Sequence, residues 1–267
     1  MNIFKFELRG YFKSTLIWTG AVVYFLIVYM AFFPALSADP ESFNTLMSSF
    51  PDEVMALFGI NPDLPMMTIM GYYSLTMSFT LIPVAIQASN YGFNILSVEE
   101  RELTADFLLT KPVSRKKIFF SKFSAAFIIL TITNISIWIM SLLAFALFKG
   151  DENPEMYKVI VLLSSIVLFQ LFFLTVGMMI SMLVKKIPSV VSYSMGLGFG
   201  MFILASLGKM LSSEFLDILS PYNHFDPGYM LIDGTYDIVP TIISVIIIIT
   251  SFIVSYFLYL RRNIASL

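Results

Sequence analysis

The sequence has 267 residues, of which 58% are hydrophobic and only 13% are charged, and its mean hydropathy is +0.84. Because a soluble domain carries about 25% charged residues, this composition excludes a soluble protein and indicates an integral membrane protein. The net charge of −2 gives no sign of a nucleic-acid partner, and the lack of cysteine excludes disulfides, thiolate zinc sites and cysteine nucleophiles.

Six stretches without Asp, Glu, Lys, Arg or His are long enough to cross a bilayer, which requires roughly 20 apolar residues. They predict membrane-spanning helices at 15–35, 68–96, 123–148, 159–184, 188–207 and 238–260. The sequence therefore predicts an all-α membrane protein with six transmembrane helices, forming a single transmembrane domain over residues 1–267.

The distribution of basic residues predicts the orientation, because Lys and Arg concentrate in cytoplasmic segments. With a cytoplasmic N-terminus, 13 of the 16 Lys and Arg residues lie inside. We therefore expect both termini in the cytoplasm and outer loops at 36–67 and 208–237. Helical periodicity in both outer loops predicts short helices that fold back on the outer membrane surface.

The first 14 residues have an amphipathic pattern, with Lys5, Arg9 and Lys13 on one face. Such a helix lies along the inner headgroups, where its basic face meets anionic lipid. The same residues also serve as a simple topology anchor. We predict an N-terminal interfacial elbow helix that leads into the first span, with membrane lipid as a partner.

Residues 97–122 form the only long inner loop and hold ten charges in 26 residues. Ser97 and Glu100 have the spacing of a capping box at a helix N-terminus. Leu103 and Phe107 lie one turn apart and give this helix an apolar ridge. Since a hairpin needs only a short turn, the charged helix predicts a docking surface for a cytoplasmic protein.

Few chemical groups are available for catalysis or ion coupling. The chain has no G-x-x-x-x-G-K-[ST] motif for a nucleotide, and the single histidine, His224, excludes a two-histidine metal site. The predicted spans hold no ionisable residue, whereas ion-coupled carriers generally place such residues in the bilayer. We therefore expect no enzyme activity in this chain and an energy source outside it.

Polar amides in the predicted spans are candidates for two functions. They are Gln87, Asn90, Asn134 and Gln170. Such residues either form hydrogen bonds between helices or line a substrate path, and the sequence leaves both interpretations open.

Small residues also recur along the fifth predicted span. Ser192, Gly196 and Gly200 lie four residues apart, which is the spacing of a stripe on one helix face. We expect this stripe to pack closely against another helix.

The motifs of the inner loop and of the last span resemble those of the membrane subunits of type 2 ATP-binding-cassette (ABC) transporters. The inner loop carries the signature-like residues Glu100, Thr104, Leu108-Leu109, Pro112-Val113-Ser114-Arg115, Ile118 and Lys122. Ser220-Pro221-Tyr222 before the last span and Tyr259–Asn263 after it are similar to the closing pattern of that family.

This resemblance implies the permease of an ATP-driven exporter in a prokaryotic plasma membrane, which forms the translocation pathway. It also implies a second permease copy or a paralogue, and two cytoplasmic ATPase subunits that bind ATP and Mg²⁺, with no cofactor on this chain. The implied ATPase-coupling residues are Glu99, Glu100, Arg101, Glu102, Leu103, Asp106, Phe107 and Arg115. The elbow helix at 1–14 would be a second contact.

Two other functions are compatible with a neutral six-span bundle. The first is a stand-alone carrier or channel without an ATPase partner, which would purify without a nucleotide-binding subunit. The second is a membrane-embedded enzyme such as a lipid hydrolase, but the spans lack the acid, base or metal-ligand cluster that such an enzyme needs.

Overall fold

The computed structural model describes residues 3–39, 45, 49–51, 55, 60, 63–102, 113–184 and 186–262. Within this part of the chain, all regular structure is helical. Six of the described helices are long and apolar enough to cross a membrane. The predicted all-α fold with six spans is therefore confirmed.

The helices whose bounds the structure describes are, in chain order, α1 (Ile3–Ala31), α2 (Phe33–Ser37), α3 (Ile69–Arg101), α4 (Arg115–Phe148), α5 (Met156–Leu183), α6 (Val190–Leu211), α7 (Glu214–Leu219), α8 (Pro221–His224), α9 (Pro227–Asp233) and α10 (Ile238–Arg261). The span candidates are α3, α4, α5, α6, α10 and the combined α1–α2 segment. We call the side that holds residues 3, 101, 115 and 262 the inner side, following the orientation that the basic residues predict.

Residues 3–14 are helical, as predicted, and they are continuous with the first span in α1. No proline interrupts the chain between residues 3 and 31, so the helix ladder continues. The helix is interrupted at Phe32. Pro34, near the start of α2, has no backbone N–H to donate to the carbonyl oxygen of Met30. Residues 3–14 and most of the first span therefore lie in one continuous helix.

Side-chain caps begin several of the long helices. Thr68 accepts a hydrogen bond from the backbone N–H of Gly71 at the start of α3. The carboxylate of Glu152, from the loop between α4 and α5, accepts the N–H of Ile69 at 3.0 Å. Ser114 caps α4 in the same way, by accepting from Lys117 N–H. These caps satisfy backbone donors that would otherwise have no partner at the helix ends.

The centre of the bundle is the crossing of α3 and α5, the two spans that are buried most completely. Gly92 of α3 faces Gly177 of α5, and a Cβ on Gly92 would lie 2.4 Å from the Leu174 carbonyl oxygen. The missing side chains allow the two backbones to approach closely. This crossing places the other spans around a common core.

Within this chain, the predicted small-residue stripe on α6 does not pack against another helix. Gly196 and Gly200 face open space, with no atom within 4 Å of a Cβ built on them. On the neighbouring face, Ser194 and Gly198 are buried, and Gly198 packs against Ile86 of α3. Packing of α6 against α3 selected the neighbouring face of the helix.

The segment between α6 and α10 folds into the short helices α7, α8 and α9, which confirms its predicted helical periodicity. In the structure, α8 and much of α9 are buried against the other helices. Tyr222 and Met230 are buried, and the Tyr222 hydroxyl donates to the carbonyl of Gly198 within α6. The aromatic ring of Tyr222 packs edge-on against Phe169 of α5, so burial of apolar side chains draws this segment into the bundle.

The other predicted outer loop, 36–67, lies mostly outside the described residues. The helical periodicity predicted around Phe43–Phe50 therefore stays a prediction.

Candidate coupling site

A buried ion triad joins three helices at the inner side of the bundle. The ammonium group of Lys122, on α4, lies 2.8 Å from a Glu7 carboxylate oxygen on α1 and 2.6 Å from a Glu99 carboxylate oxygen on α3. The side chains of Lys122, Glu7 and Glu99 are 0%, 10% and 14% exposed. Opposite charges at this separation attract strongly when water is excluded. The triad therefore fastens the N-terminal helix to the two helices that flank the inner loop.

A layer of further hydrogen bonds lies beside the triad. Asn94 on α3 donates from Nδ2 to the Tyr11 hydroxyl oxygen at 2.9 Å. The Asn94 Oδ1 atom accepts from the guanidinium of Arg101 at 2.7 Å. Tyr11 also packs edge-on against Tyr91, so α1 and α3 have both polar and aromatic contacts here. These bonds hold Arg101 against the helix just before the inner loop begins.

Arginine side chains tie the far end of the inner loop to two other helices. Arg115 donates from Nη1 to the carbonyl oxygens of Leu260 and Arg262, at 3.2 and 2.6 Å. The guanidinium of Arg262 in turn donates to carbonyls at the end of α5, including that of Met182 at 2.9 Å. Cations favour helix C-termini because the last carbonyls lack partners there. The start of α4 is thus linked to the inner ends of α10 and α5.

The predicted coupling residues fall into three groups. Glu99 and Arg115 face inward and bond to other helices, and Arg101 also bonds within the bundle. Glu102 is exposed and lies 3.7 Å from Arg101. Leu103, Asp106, Phe107 and the Glu100 side chain lie outside the described residues. The structure therefore shows how the ends of the inner loop are anchored, and the contact of the segment Glu99–Phe107 with an ATPase stays a prediction.

The polar residues of the spans form hydrogen bonds between helices. Gln87 of α3 donates to Thr133 of α4 at 2.9 Å, and Thr133 lies 2.8 Å from the Thr19 hydroxyl of α1. Neighbouring Asn134 approaches Gln170 of α5 at 3.5 Å. In apolar surroundings such bonds hold helices together.

Asn90 of α3 similarly approaches the Ser194 hydroxyl of α6, at 3.4 Å. The observed contacts support the interpretation that these four amides form hydrogen bonds between helices. Two atoms among them, Gln87 Oε1 and Gln170 Nε2, are buried without a hydrogen-bond partner. A substrate path along these residues stays a prediction.

An acidic groove of about 890 Å³ opens at the outer side. Five aspartates line it, together with Lys209 and His224. Lys209 at the end of α6 forms an ion pair with Asp226, and Asp226 also caps α9 by accepting from Tyr229 N–H. The negative electrostatic potential of these carboxylates attracts cations and repels anions. The outer side is therefore acidic, whereas the inner side is basic.

In the described part of the chain, no group of three or more His, Cys, Asp or Glu side chains is arranged to hold a metal ion. The charged residues instead form ion pairs and helix caps. Their arrangement is that of a helical membrane bundle with a charged inner face.

A comparison with protein families decides the class of this bundle. The family model described as ABC-2 family transporter protein matches residues 1–264. The chain belongs to the ABC-2 transporter family. A comparison with curated proteins found no match. Membership in this family confirms the resemblance to type 2 ABC permeases that the inner loop and the last span suggested.

Sequence reasoning about this ABC-2 chain missed the role of Glu7 and the burial of Lys122. Both left a signal in the sequence. Glu7 is the only acidic residue before Asp39, within a basic segment. Lys122 falls at helical spacing on the apolar stripe of Ile118, Ala125 and Ala126. Because a buried charge requires an opposite charge nearby, a single acidic residue and a single lysine on buried helix faces predict an ion pair between them.

Proposed function

We propose that this ABC-2 chain is the membrane-spanning permease subunit of an ATP-driven exporter in a prokaryotic plasma membrane. It works as a pair with a second copy or a paralogue, and two separate cytoplasmic ATPase subunits supply the energy. Family membership supports the permease assignment. The ATPase partners, the pairing and the direction of transport extend that assignment through the resemblance of the inner loop.

The observation that carries the proposal is the anchoring of both ends of the inner loop. The loop leaves α3 after Arg101 and enters α4 at Arg115. Lys122 and Glu99 fix these ends to α1, whereas Arg115 fixes the second end to α10. A force applied to residues 103–112 would therefore reach four helices through the ion triad and the Arg115 hydrogen bonds.

In the proposed mechanism, closure of the ATPase pair displaces residues 103–112. This displacement tilts α3 and α4 and shifts the bundle between inward-open and outward-open states. ATP drives the change only if the ATPase pair contacts the two states differently, as every ligand-driven switch requires. The predicted contact residues Leu103 and Phe107 would provide that difference.

A double substitution tests the coupling assignment. Leu103→Ser with Phe107→Ser removes the apolar ridge, so the chain should still insert in the membrane while ATP-dependent transport is lost. The measurement compares ATP hydrolysis and ATP-dependent efflux in vesicles that contain the complete complex. Leu211→Ser with Phe215→Ser is a matched control, because both side chains are exposed at the outer side. Unchanged efflux in the Leu103/Phe107 variant would contradict the assignment.

Purification from native membranes separates this proposal from a stand-alone carrier or channel. We expect the tagged chain to co-purify with an ATPase subunit whose ATP hydrolysis is inhibited by vanadate. A carrier that acts alone would be purified without ATP hydrolysis and would still transport solute in vesicles. The latter result would replace the exporter proposal with the carrier.

A further inference from the structure

The ion triad is unusual because its charges do not cancel. Lys122 supplies one positive charge, whereas Glu7 and Glu99 supply two negative charges, and all three side chains are largely removed from water. Burial of charge is costly, and an apolar cluster of the same volume would often be equally stable. Stability alone therefore does not explain this arrangement.

The position of the triad indicates what it contributes. Glu99 lies two residues before the end of α3, and Lys122 lies in the second turn of α4. These positions flank the inner loop on both sides, and Glu7 joins them from the N-terminal helix. A single ammonium group thus sets the relative position of three helix segments.

We infer that Lys122 is a positioning residue that makes the N-terminal segment of α1 move together with both ends of the inner loop. Direct hydrogen bonds support this unit, since Asn94 joins Tyr11 to Arg101 beside the triad. The triad thus holds α1 in register with α3 and α4, whatever force acts on the loop. Its part in ATP coupling rests on the proposed function.

The ion pair of Arg101 and Glu102 provides a contrast at the same helix end. Its atoms are 3.7 Å apart, and the Glu102 side chain is 59% exposed. Exposed pairs of this kind hold geometry weakly, because water and salt screen them. Of these two groups of charges, the buried triad is therefore the one to which the positioning role is assigned.

Spin labels test the inference directly, because the chain has no native cysteine. Lys5→Cys and Lys117→Cys place labels at exposed positions on α1 and α4. Double electron–electron resonance on the full chain in lipid nanodiscs then measures the distribution of label distances. In the otherwise unchanged protein, we expect one narrow distribution.

Glu7→Gln is the decisive variant. It removes the ion pair between α1 and Lys122 and leaves at most a weaker neutral hydrogen bond there, while Lys122 stays paired with Glu99, so no buried ammonium is stranded. We expect the Lys5–Lys117 distance distribution to broaden, whereas the matched outer-side variant Glu155→Gln leaves it narrow. A distribution that stays narrow in Glu7→Gln would overturn the inference. If Glu7→Gln does not fold, Glu7→Asp keeps the charge on a shorter side chain and gives the same readout.

A second label pair separates this inference from the proposed function. Lys5→Cys with Lys186→Cys reports movement of the triad unit relative to the hairpin between α5 and α6. In the ATPase complex, we expect ATP and vanadate to shift the distance between these two labels when the triad is intact. The shift should be smaller when Glu7→Gln is also present. If no shift occurs in either protein while Glu7→Gln still broadens the first distribution, the triad inference stands and ATP coupling fails.

Discussion

His224 shows how a single polar residue is accommodated between the outer helices. The ring is 1% exposed, and both nitrogens have partners. Nδ1 lies 2.7 Å from the Ser244 hydroxyl and Nε2 lies 2.8 Å from the Ile218 carbonyl oxygen. A neutral ring satisfies both contacts when Nε2–H donates to the carbonyl and Nδ1 accepts from the hydroxyl. The structure thus gives His224 a structural role.

Burial lowers the pKa of His224 below its usual value, against weaker opposing effects of the Ile218 carbonyl and the Asp237 charge. In the unfolded chain the ring gains a proton near its ordinary pKa, whereas the folded ring stays neutral to lower pH. Protons therefore favour the unfolded state. The stability that comes from keeping His224 neutral is fully present at a pH above the pKa of the ring in the unfolded chain. It decreases as the pH falls from there toward the pKa of the ring in the folded protein.

We predict that acidification from about pH 7.5 to about pH 5.5 lowers the melting temperature less in His224→Gln than in the original protein. Glutamine keeps hydrogen-bonding capacity but does not titrate. Thermal unfolding of detergent-purified protein at both pH values measures the difference. The pKa of Asp217 is raised by burial, but this carboxyl titrates in both proteins and cancels in the comparison. Equal pH dependence of the two proteins would contradict the prediction.

At the scale of helices, close approach of α3 and α5 depends on glycine rather than on side-chain interdigitation. The Cα atom of Gly177 lies 3.1 Å from a Cβ built on Gly92, and the Leu174 carbonyl is closer still. A backbone carbonyl cannot rotate away as a flexible side chain can. Any side chain at Gly92 must therefore push the helices apart.

We predict that Gly92→Ala destabilises the protein by about 1–3 kcal/mol, as overpacking of a tight core usually does. Gly196→Ala is the matched control, since it changes an exposed helix glycine with open space around it. That control should be neutral or stabilise by up to about 1 kcal/mol through helix propensity. Thermal or denaturant unfolding in detergent measures both variants. A Gly92→Ala variant as stable as the control would show that the two helices can separate without cost.

For the whole molecule, the charge distribution predicts a definite orientation in the membrane. The basic residues cluster at the side that holds the inner loop, and an acidic groove lies at the opposite side. Lys and Arg retained in the cytoplasm set the orientation of membrane proteins. Residues 115–117 should therefore face the cytoplasm.

Single cysteines test this orientation in a chain that has none of its own. We predict that a membrane-impermeant maleimide labels Asp151→Cys on intact cells, because this exposed position follows the outer end of α4. Lys117→Cys at the inner end of the same helix should react only after the cells are opened. The reverse pattern would invert the topology and place the inner loop out of reach of a cytoplasmic ATPase.

Composition and periodicity determined the class of fold because the bilayer leaves few alternatives. A chain that is 58% hydrophobic with six long uncharged stretches must satisfy its backbone hydrogen bonds within helices. The helical character of 208–237 was also predicted, because it depends on neighbouring residues in the chain. The family resemblance depended on the inner loop and the last span, and the match over residues 1–264 confirms it.

Only the tertiary structure decided which face of each helix is buried and which distant residues meet. Glu7 and Lys122 are 115 positions apart in the chain, and their contact depends on how α1 lies against α4. The way the helices lie against each other also decides that Gly198 rather than Gly196 is buried on α6 and that Tyr222 is buried. In a chain apolar on all sides, periodicity does not distinguish a lipid-facing surface from a protein-facing one, because both are equally hydrophobic. Packing between helices makes that distinction, and it therefore placed the buried charges of the candidate coupling site.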